Sequence, residues 1–239
     1  MQNSSSTECS DGGARPDTGT GEQYLNPRLN PMFIRLREIL LSADTSDGWE
    51  KTWEEGNIPW DLGKPTPIVI HLGYDVVALA GPERYVVGLD MSGTAIKKAK
   101  ELAASSPNRE CFSFLNEDFF NWNPSELFDL MFDYTFFCAL EPALRSDWAK
   151  KVGEILKPEG ELITLIWVID QNGGPPFKNN VSEYVIFALR YEEVLFPLGF
   201  KQIYIEDNEL AVKPRKKERN YVIVSRFMQL GISAQVFFH

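Results

Sequence analysis

Residues 84–90 read Arg84-Tyr85-Val86-Val87-Gly88-Leu89-Asp90, an apolar run that stops on a carboxylate. Ser92 follows as a plausible N-cap, and the Ala, Lys and Leu residues after it are good helix formers, so the spacing predicts a helix over roughly 92–105. A buried strand that ends in an acid and runs into a helix is how open α/β sheets grip the ribose of a nucleotide-type cofactor. Asp90 suits that task because a carboxylate only accepts hydrogen bonds and has room for two hydroxyls. An acid favoured by the helix macrodipole would occupy the same position, and this stretch alone leaves both readings open.

Downstream, CFSFLNED (111–118) reads as a strand ending on Asp118, with Phe119 next to it. An acceptor beside an aromatic ring can hold the amino edge and the face of adenine. The run LFDLMFDYTFFCAL (127–140) has the continuous apolarity of a central strand covered on both faces. Asp133 and Tyr134 interrupt it, and a charge there is costly unless the strand ends at that point. EPALRSDWAKKVGEILK (141–157) is an amphipathic helix stopped by Pro158 and Gly160, and GELITLIWVID (160–170) is a buried strand. The loop QNGGPPF (171–177), a helical stretch over 182–200 and strands at 201–207 and 220–227 complete the pattern. Strands alternating with helices imply a mostly parallel, Rossmann-like sheet with helices on both faces.

Upstream of Arg84 lie the apolar run IVIHL (68–72) and YDVVALA (74–80), the latter a helix begun at Gly73. Before them, DGWEKTWEEGNIPWDLGKPTP (47–67) places Trp49, Trp53 and Trp60 among acids, Gly and Pro. Trp49 and Trp53 share one face of a helical turn, and Gly56, Pro59 and Gly63 break the segment after them. A tryptophan is ordinarily a core anchor. Three so close together, beside loop breakers, suggest a lid whose aromatic faces would attract a cationic cofactor. Residues 29–41 form an amphipathic first helix with Phe33, Leu36, Leu40 and Leu41 as its apolar stripe.

The 239 residues, 44% hydrophobic and 13% aromatic, suffice for one substantial core. Residues 1–22, rich in Ser, Gly, Thr and Asp, are expected to be a disordered tail. Residues 23–227 are expected to form one domain, and 228–239 an atypical apolar tail. A net charge of −10 and a pI near 4.8 argue against nucleic acid or an anionic membrane, which require a basic face. The expected partner is a small molecule, and the expected state a monomer. Cys9, Cys111 and Cys138 lack metal spacing or an even framework, which suits a reducing compartment. Without a spanning run or a leader signature, the cytoplasm is the default location.

Taken together, WEKTWEEGNIPWDLGKPTP, VVGLDMS, FDLMFDYTFFCALEP, LKPEGELITL and GGPPF resemble the plant thiol/halide (thiocyanate) methyltransferases, in the family that includes thiopurine methyltransferase. The likeness runs from about Gly48 to Lys217. It implies a class I fold, S-adenosyl-L-methionine as cofactor, and methyl transfer to small soft nucleophiles such as thiocyanate, bisulfide, thiols and halides. By the same resemblance Trp49, Trp53 and Trp60 surround the cofactor, Asp90 takes its ribose, and Asp118 and Phe119 take its adenine. Gly73 is the last glycine of the cofactor loop, and Tyr134 lies near the reacting centre. A sulfonium and a soft anion react by in-line displacement, so alignment and exclusion of water suffice. No catalytic acid or base and no metal are implied.

The chain departs from the family pattern where His71-Leu72 runs directly into Gly73-Tyr74-Asp75. The family has a further strand and a Gly-rich loop there, so the first central strand is expected to be missing or replaced. Extra apolar residues around VIFALRY (185–191) and the segment after PRKK (214–217) depart as well. A catalytically impaired member of the family is therefore the alternative reading. A nicotinamide-dependent oxidoreductase requires a Gly-x-Gly-x-x-Gly turn, which the chain lacks.

Overall fold

The apolar run around Val86 forms the expected strand: β1, Val86–Asp90, pairs in parallel with β2, Phe112–Asn116, from Val86 opposite Phe112 to Asp90 opposite Asn116. The computed structural model describes residues 28–43, 45–61, 75–169, 173–178, 195–211 and 220–228. The tail at 1–22, the IVIHL run, Gly73, most of the stretch 182–200 and residues 229–239 lie outside these.

Chain order among the described residues begins with helices α1, Pro31–Ser42, α2, Thr45–Glu54, and α3, Asp75–Leu79. Asn30 caps α1 by accepting the Met32 N–H at 2.9 Å. The buried stripe of α1 is Phe33, Leu36 and Ile39, whereas Leu41 is 88% exposed. The expected inclusion of Leu41 is corrected by the helical period, which carries the burial angle from Leu36 to Ile39 and past Leu41. Gly56 ends α2 at φ +68°, letting the amides of Gly56 and Asn57 reach back to the carbonyls of Trp53 and Thr52. Helix α3 crosses β1 at Gly88, where a Cβ would sit 2.6 Å from Val76 Cγ2 and 2.9 Å from Phe114 Cδ1. Asn108 donates to the carbonyls of Val77 and Ala80 and so ties the end of α3 to the entry of β2.

Helix α4, Gly93–Ala103, follows β1, and Ser92 caps it by accepting the Ala95 N–H at 3.0 Å. Past β2 come β3, Phe128–Tyr134, α5, Phe136–Ala139, and α6, Arg145–Ile155. Strands β4, Leu156–Trp167, β5, Phe200–Asp207, and β6, Asn220–Phe227, complete a sheet of order β3-β4-β6-β5. β3 and β4 are parallel, and β6 runs antiparallel to both β4 and β5. The last strand is thus the reversed member of an otherwise parallel set. Among the described residues β1 pairs with β2 and β3 with β4, and no described strand joins these two parts.

Two sequence expectations need correction here. The run 127–140 is not one strand: it ends at Tyr134 and coils into α5, because the Asp133 carboxylate captures the first amides of that helix. Nor is it covered along its whole length, since Leu130 is 41% exposed. The helix expected to last until Lys157 ends at Ile155, and β4 begins at Leu156. The pairing jumps from Phe128 opposite Leu156 to Leu130 opposite Glu161, so residues 157–160 bulge out with Glu159 at φ +66°.

The main core lies between α6 and one face of the larger sheet, where Trp148 and Val152 are fully buried against Leu162, Ile166, Phe200 and Ile223. The other face packs Phe132, Tyr134 and Ile163 on Leu165 and Val222. No helix of the described residues is long and apolar enough to cross a membrane.

Candidate cofactor site at the strand ends

Asp90 closes β1, and its Oδ1 accepts the Ser92 N–H at 2.8 Å. Its Oδ2 accepts nothing from the described residues. Burial pushes the carboxyl above the usual range, opposed by the Ser92 amide and aided by the neighbouring charge of Glu50. A half-used carboxylate at the C-terminal end of a parallel strand, beside a helix N-terminus, fits a ribose diol.

Glu50, on α2, accepts the Thr94 N–H at 3.1 Å and the Thr94 hydroxyl. The Ser92 and Thr94 hydroxyls hold its carboxyl below the ordinary range. The sequence reading missed this residue. Its signal was an acid directly after Trp49 in a segment already marked as a lid.

β2 stops at Asn116, so Asp118 lies in the following turn rather than on the strand. This corrects the expectation of a strand ending on Asp118. Its Oδ1 accepts the Phe120 N–H at 3.0 Å, its Oδ2 accepts from Asn121 Nδ2, and its carbonyl takes the amides of Asn121 and Trp122. The side chain therefore builds the turn that presents Phe119. The Phe119 ring meets Phe136 edge-on at 5.2 Å between centroids, which joins the end of β2 to the end of β3.

Trp60 stands edge-on to both Trp49 and Trp53, at 5.5 and 6.2 Å. Trp49 and Trp60 pack on Phe33, Leu36, Cys138 and Ile169, so they anchor a small core that includes Cys138 of α5. The Trp53 ring faces Lys98 Nζ at 5.3 Å. One aromatic face expected to await a cationic ligand is thus engaged by the chain's own ammonium.

At the end of β3, Asp133 is 2% exposed. Its Oδ1 accepts the amides of Phe136 and Phe137 at 3.2 and 3.3 Å, while Oδ2 has no partner among the described residues. Beside it is a cavity of about 10 Å³ lined in part by Thr135, Cys138 and Thr164, which is room for about one water. Burial raises the Asp133 carboxyl to about 6 and the Cys138 thiol to about 12. Thr135, at φ +66°, makes the turn between strand and helix. The Cys138 carbonyl accepts the Phe177 N–H at 2.7 Å and draws the GGPPF loop to the same place. Tyr134 packs with Leu165 and Val222 on the sheet face opposite the main core. Trp49, Trp60, Cys138 and the loop therefore converge, as do Asp90 and Glu50. Gly73 lies outside the described residues. No cluster of three or more His, Cys, Asp or Glu residues among the described residues could hold a metal ion.

The parallel pairs β1-β2 and β3-β4, with helices between strands and a final reversed strand, define a class I methyltransferase fold. Two solved structures share it. One, at TM-score 0.53 and 13% identity over 82% of this chain and 90% of the other, is a Burkholderia thailandensis 1,6-didemethyltoxoflavin-N1-methyltransferase with bound 1,6-didemethyltoxoflavin and S-adenosylhomocysteine. The other, at TM-score 0.54 and 19% identity over 73% and 86%, comes from work on the conversion of a disulfide bond into a thioacetal group during echinomycin biosynthesis.

The family is decided by sequence: residues 72–229 match thiopurine S-methyltransferase (TPMT), and the chain belongs to that family of S-adenosyl-L-methionine-dependent methyltransferases. It is 53% identical to a probable thiol methyltransferase 2 of Arabidopsis thaliana over 74% of this chain and 84% of the relative. It is 50% identical to thiocyanate methyltransferase 1 of Brassica oleracea over 82% and 89%.

Proposed function

We propose that this chain transfers the methyl group of S-adenosyl-L-methionine to a small soft nucleophile, with thiols, bisulfide and thiocyanate as the first class and halides as the second. The observation that carries this reading is Asp90, which ends a parallel strand with one carboxylate oxygen uncommitted among the described residues. Relatives at 50% and 53% identity that are named for thiocyanate and thiol supply the acceptor class.

When bound, the cofactor supplies an electrophilic methyl on a sulfonium. The chain's own residues align, hold and dry. Asp90 takes the ribose hydroxyls, and the turn built by Asp118 offers Phe119 to the adenine. Trp49, Trp53 and Trp60, packed edge-on to one another through Trp60, exclude water from the ligand, and Tyr134 positions it at the end of β3. Thiocyanate, bisulfide and halides arrive as anions, and a thiol reacts as the thiolate after losing its proton to solvent, so no side chain has to remove a proton.

Methyl-labelled cofactor with thiocyanate or bisulfide, followed by headspace detection of the volatile product, tests the reading. Labelled methyl thiocyanate or methanethiol is expected. Asp90→Asn should weaken S-adenosylhomocysteine binding about tenfold or more in calorimetry, as loss of charge-assisted hydrogen bonds does. Product from the parent chain together with undiminished affinity in the Asp90→Asn variant would overturn the role given to Asp90.

A second reading, an impaired family member, is favoured by the sequence, in which His71-Leu72 runs directly into Gly73-Tyr74-Asp75. It requires that neither product appears until the family's Gly-rich loop is restored after Leu72.

A further inference from the structure

The tryptophan helix is fastened to the helix that starts just past Asp90, and the fastening uses groups at two levels of α2. At one level Glu50 accepts from Thr94 N at 3.1 Å and from the Thr94 hydroxyl. At the other, Lys98 Nζ donates to the Trp53 carbonyl at 3.0 Å and stands over the Trp53 ring at 5.3 Å. Thr94 and Lys98 are one helical turn apart on α4, so a single stripe of α4 receives both contacts. The carbonyl of Trp53 lies at the C-terminal end of α2, where a cation is electrostatically favoured, and Glu50 meets the N-terminal turn of α4, where an anion is.

We infer that Glu50 is a positioning residue: through Thr94 it holds the tryptophan helix against the strand end that carries Asp90, so that the lid and the ribose subsite move as one body. This rests on the cofactor reading proposed for Asp90. Glu50 is not a spare ligand group, because the hydroxyls and amides of the α4 N-terminus already occupy its carboxylate. Its charge is felt at Asp90 all the same. A ribose hydroxyl that donates to Asp90 thus binds beside a second carboxylate whose position is set by α2. Ligand affinity therefore depends on whether Trp49 and Trp53 are docked. Trp60 transmits that docking onward, since it touches both of them.

Amide exchange of residues 45–54 in the ligand-free protein, combined with calorimetric titration of S-adenosylhomocysteine, separates the latch from the cofactor reading. Glu50→Ala and Thr94→Val should each speed exchange across α2 roughly five- to tenfold, the effect of losing a charge-assisted hydrogen bond, and should weaken ligand binding to a similar extent. Thr94→Val removes only the hydroxyl contact and leaves the Thr94 amide on Glu50, so the double variant should match Glu50→Ala and exceed Thr94→Val. Glu50→Gln, which keeps an acceptor for Thr94, should restore most of the protection. Unchanged α2 exchange in both single variants would overturn the latch. Faster exchange with undiminished affinity would overturn its coupling to the ligand. A parent chain that gives no heat with S-adenosylhomocysteine would defeat the cofactor reading and the coupling with it, while the exchange comparison would still decide the latch.

Discussion

Asp133 carries the most telling balance of any single residue. It is buried, two amides satisfy one oxygen, and no described residue satisfies the other. Its folded pKa of about 6 lies above the ordinary 3.8. The folded state therefore binds more protons than the unfolded chain between these values. Stability falls as pH rises from about 4 to about 6, by roughly 3 kcal/mol if the whole shift is realised, and is flat above that. Asp133→Asn keeps the acceptor for Phe136 and Phe137 and removes the titration. Urea unfolding midpoints measured between pH 4 and 7 should decline more steeply for the parent than for this variant, which keeps the same-sign contribution of Asp90. Equal slopes would mean that another group titrates. Asp133 was visible in the sequence as a charge within an apolar run, costly there unless a strand ends at that point, and β3 ends one residue later at Tyr134. Its work as cap of the next helix was not visible, because LFDLMFDYTFFCAL is apolar on either side of the break.

At the scale of the element, β1 shows how a glycine can be set by a neighbour rather than by a turn. Gly88 sits mid-strand, where glycine costs conformational entropy, yet a Cβ would overlap Val76 of α3 and Phe114 of β2. Gly88→Ala should destabilise the chain by about 1–3 kcal/mol through overpacking, read as a lower urea midpoint with an unchanged slope. A midpoint equal to the parent's would mean that α3 does not press on β1. The N-cap of α4 was legible from Ser92 and its neighbours, because capping is a local signal. The end of α6 and the start of β4 were not. Pro158 and Gly160 pointed to a helix stop near Lys157, whereas the larger sheet recruited Leu156 into a bulged strand instead.

The whole molecule divides its described strands between a pair, β1-β2, whose residues are mostly half-buried, and a four-stranded sheet whose inner strands β4 and β6 carry buried residues such as Leu162, Ile166 and Ile223. Local opening follows burial and pairing, so amides of residues 86–90 should exchange faster than those of residues 162–166. On the role proposed for Asp90, S-adenosylhomocysteine should slow exchange in the first group more than in the second. Equal protection in the free protein would mean that the two parts open as one unit. The net charge of −10 leaves this surface suited to small ligands rather than to polyanions.

What the sequence determined by itself was what local chemistry encodes. The strand that stops on Asp90, the cap at Ser92, the alternation of strands and helices, and the family marked by WEKTWEEGNIPWD and FDYTFFCALEP all depend on neighbours within a few residues. Tertiary structure decided the rest. Docking determined that Trp53 faces Lys98 while Trp49 and Trp60 anchor a core, and it joined Glu50 to Thr94 and Cys138 to Phe177. These partners are far apart along the chain, and the residue type of one carries no signal of the other. Only burial and the meeting of helix ends bring them together.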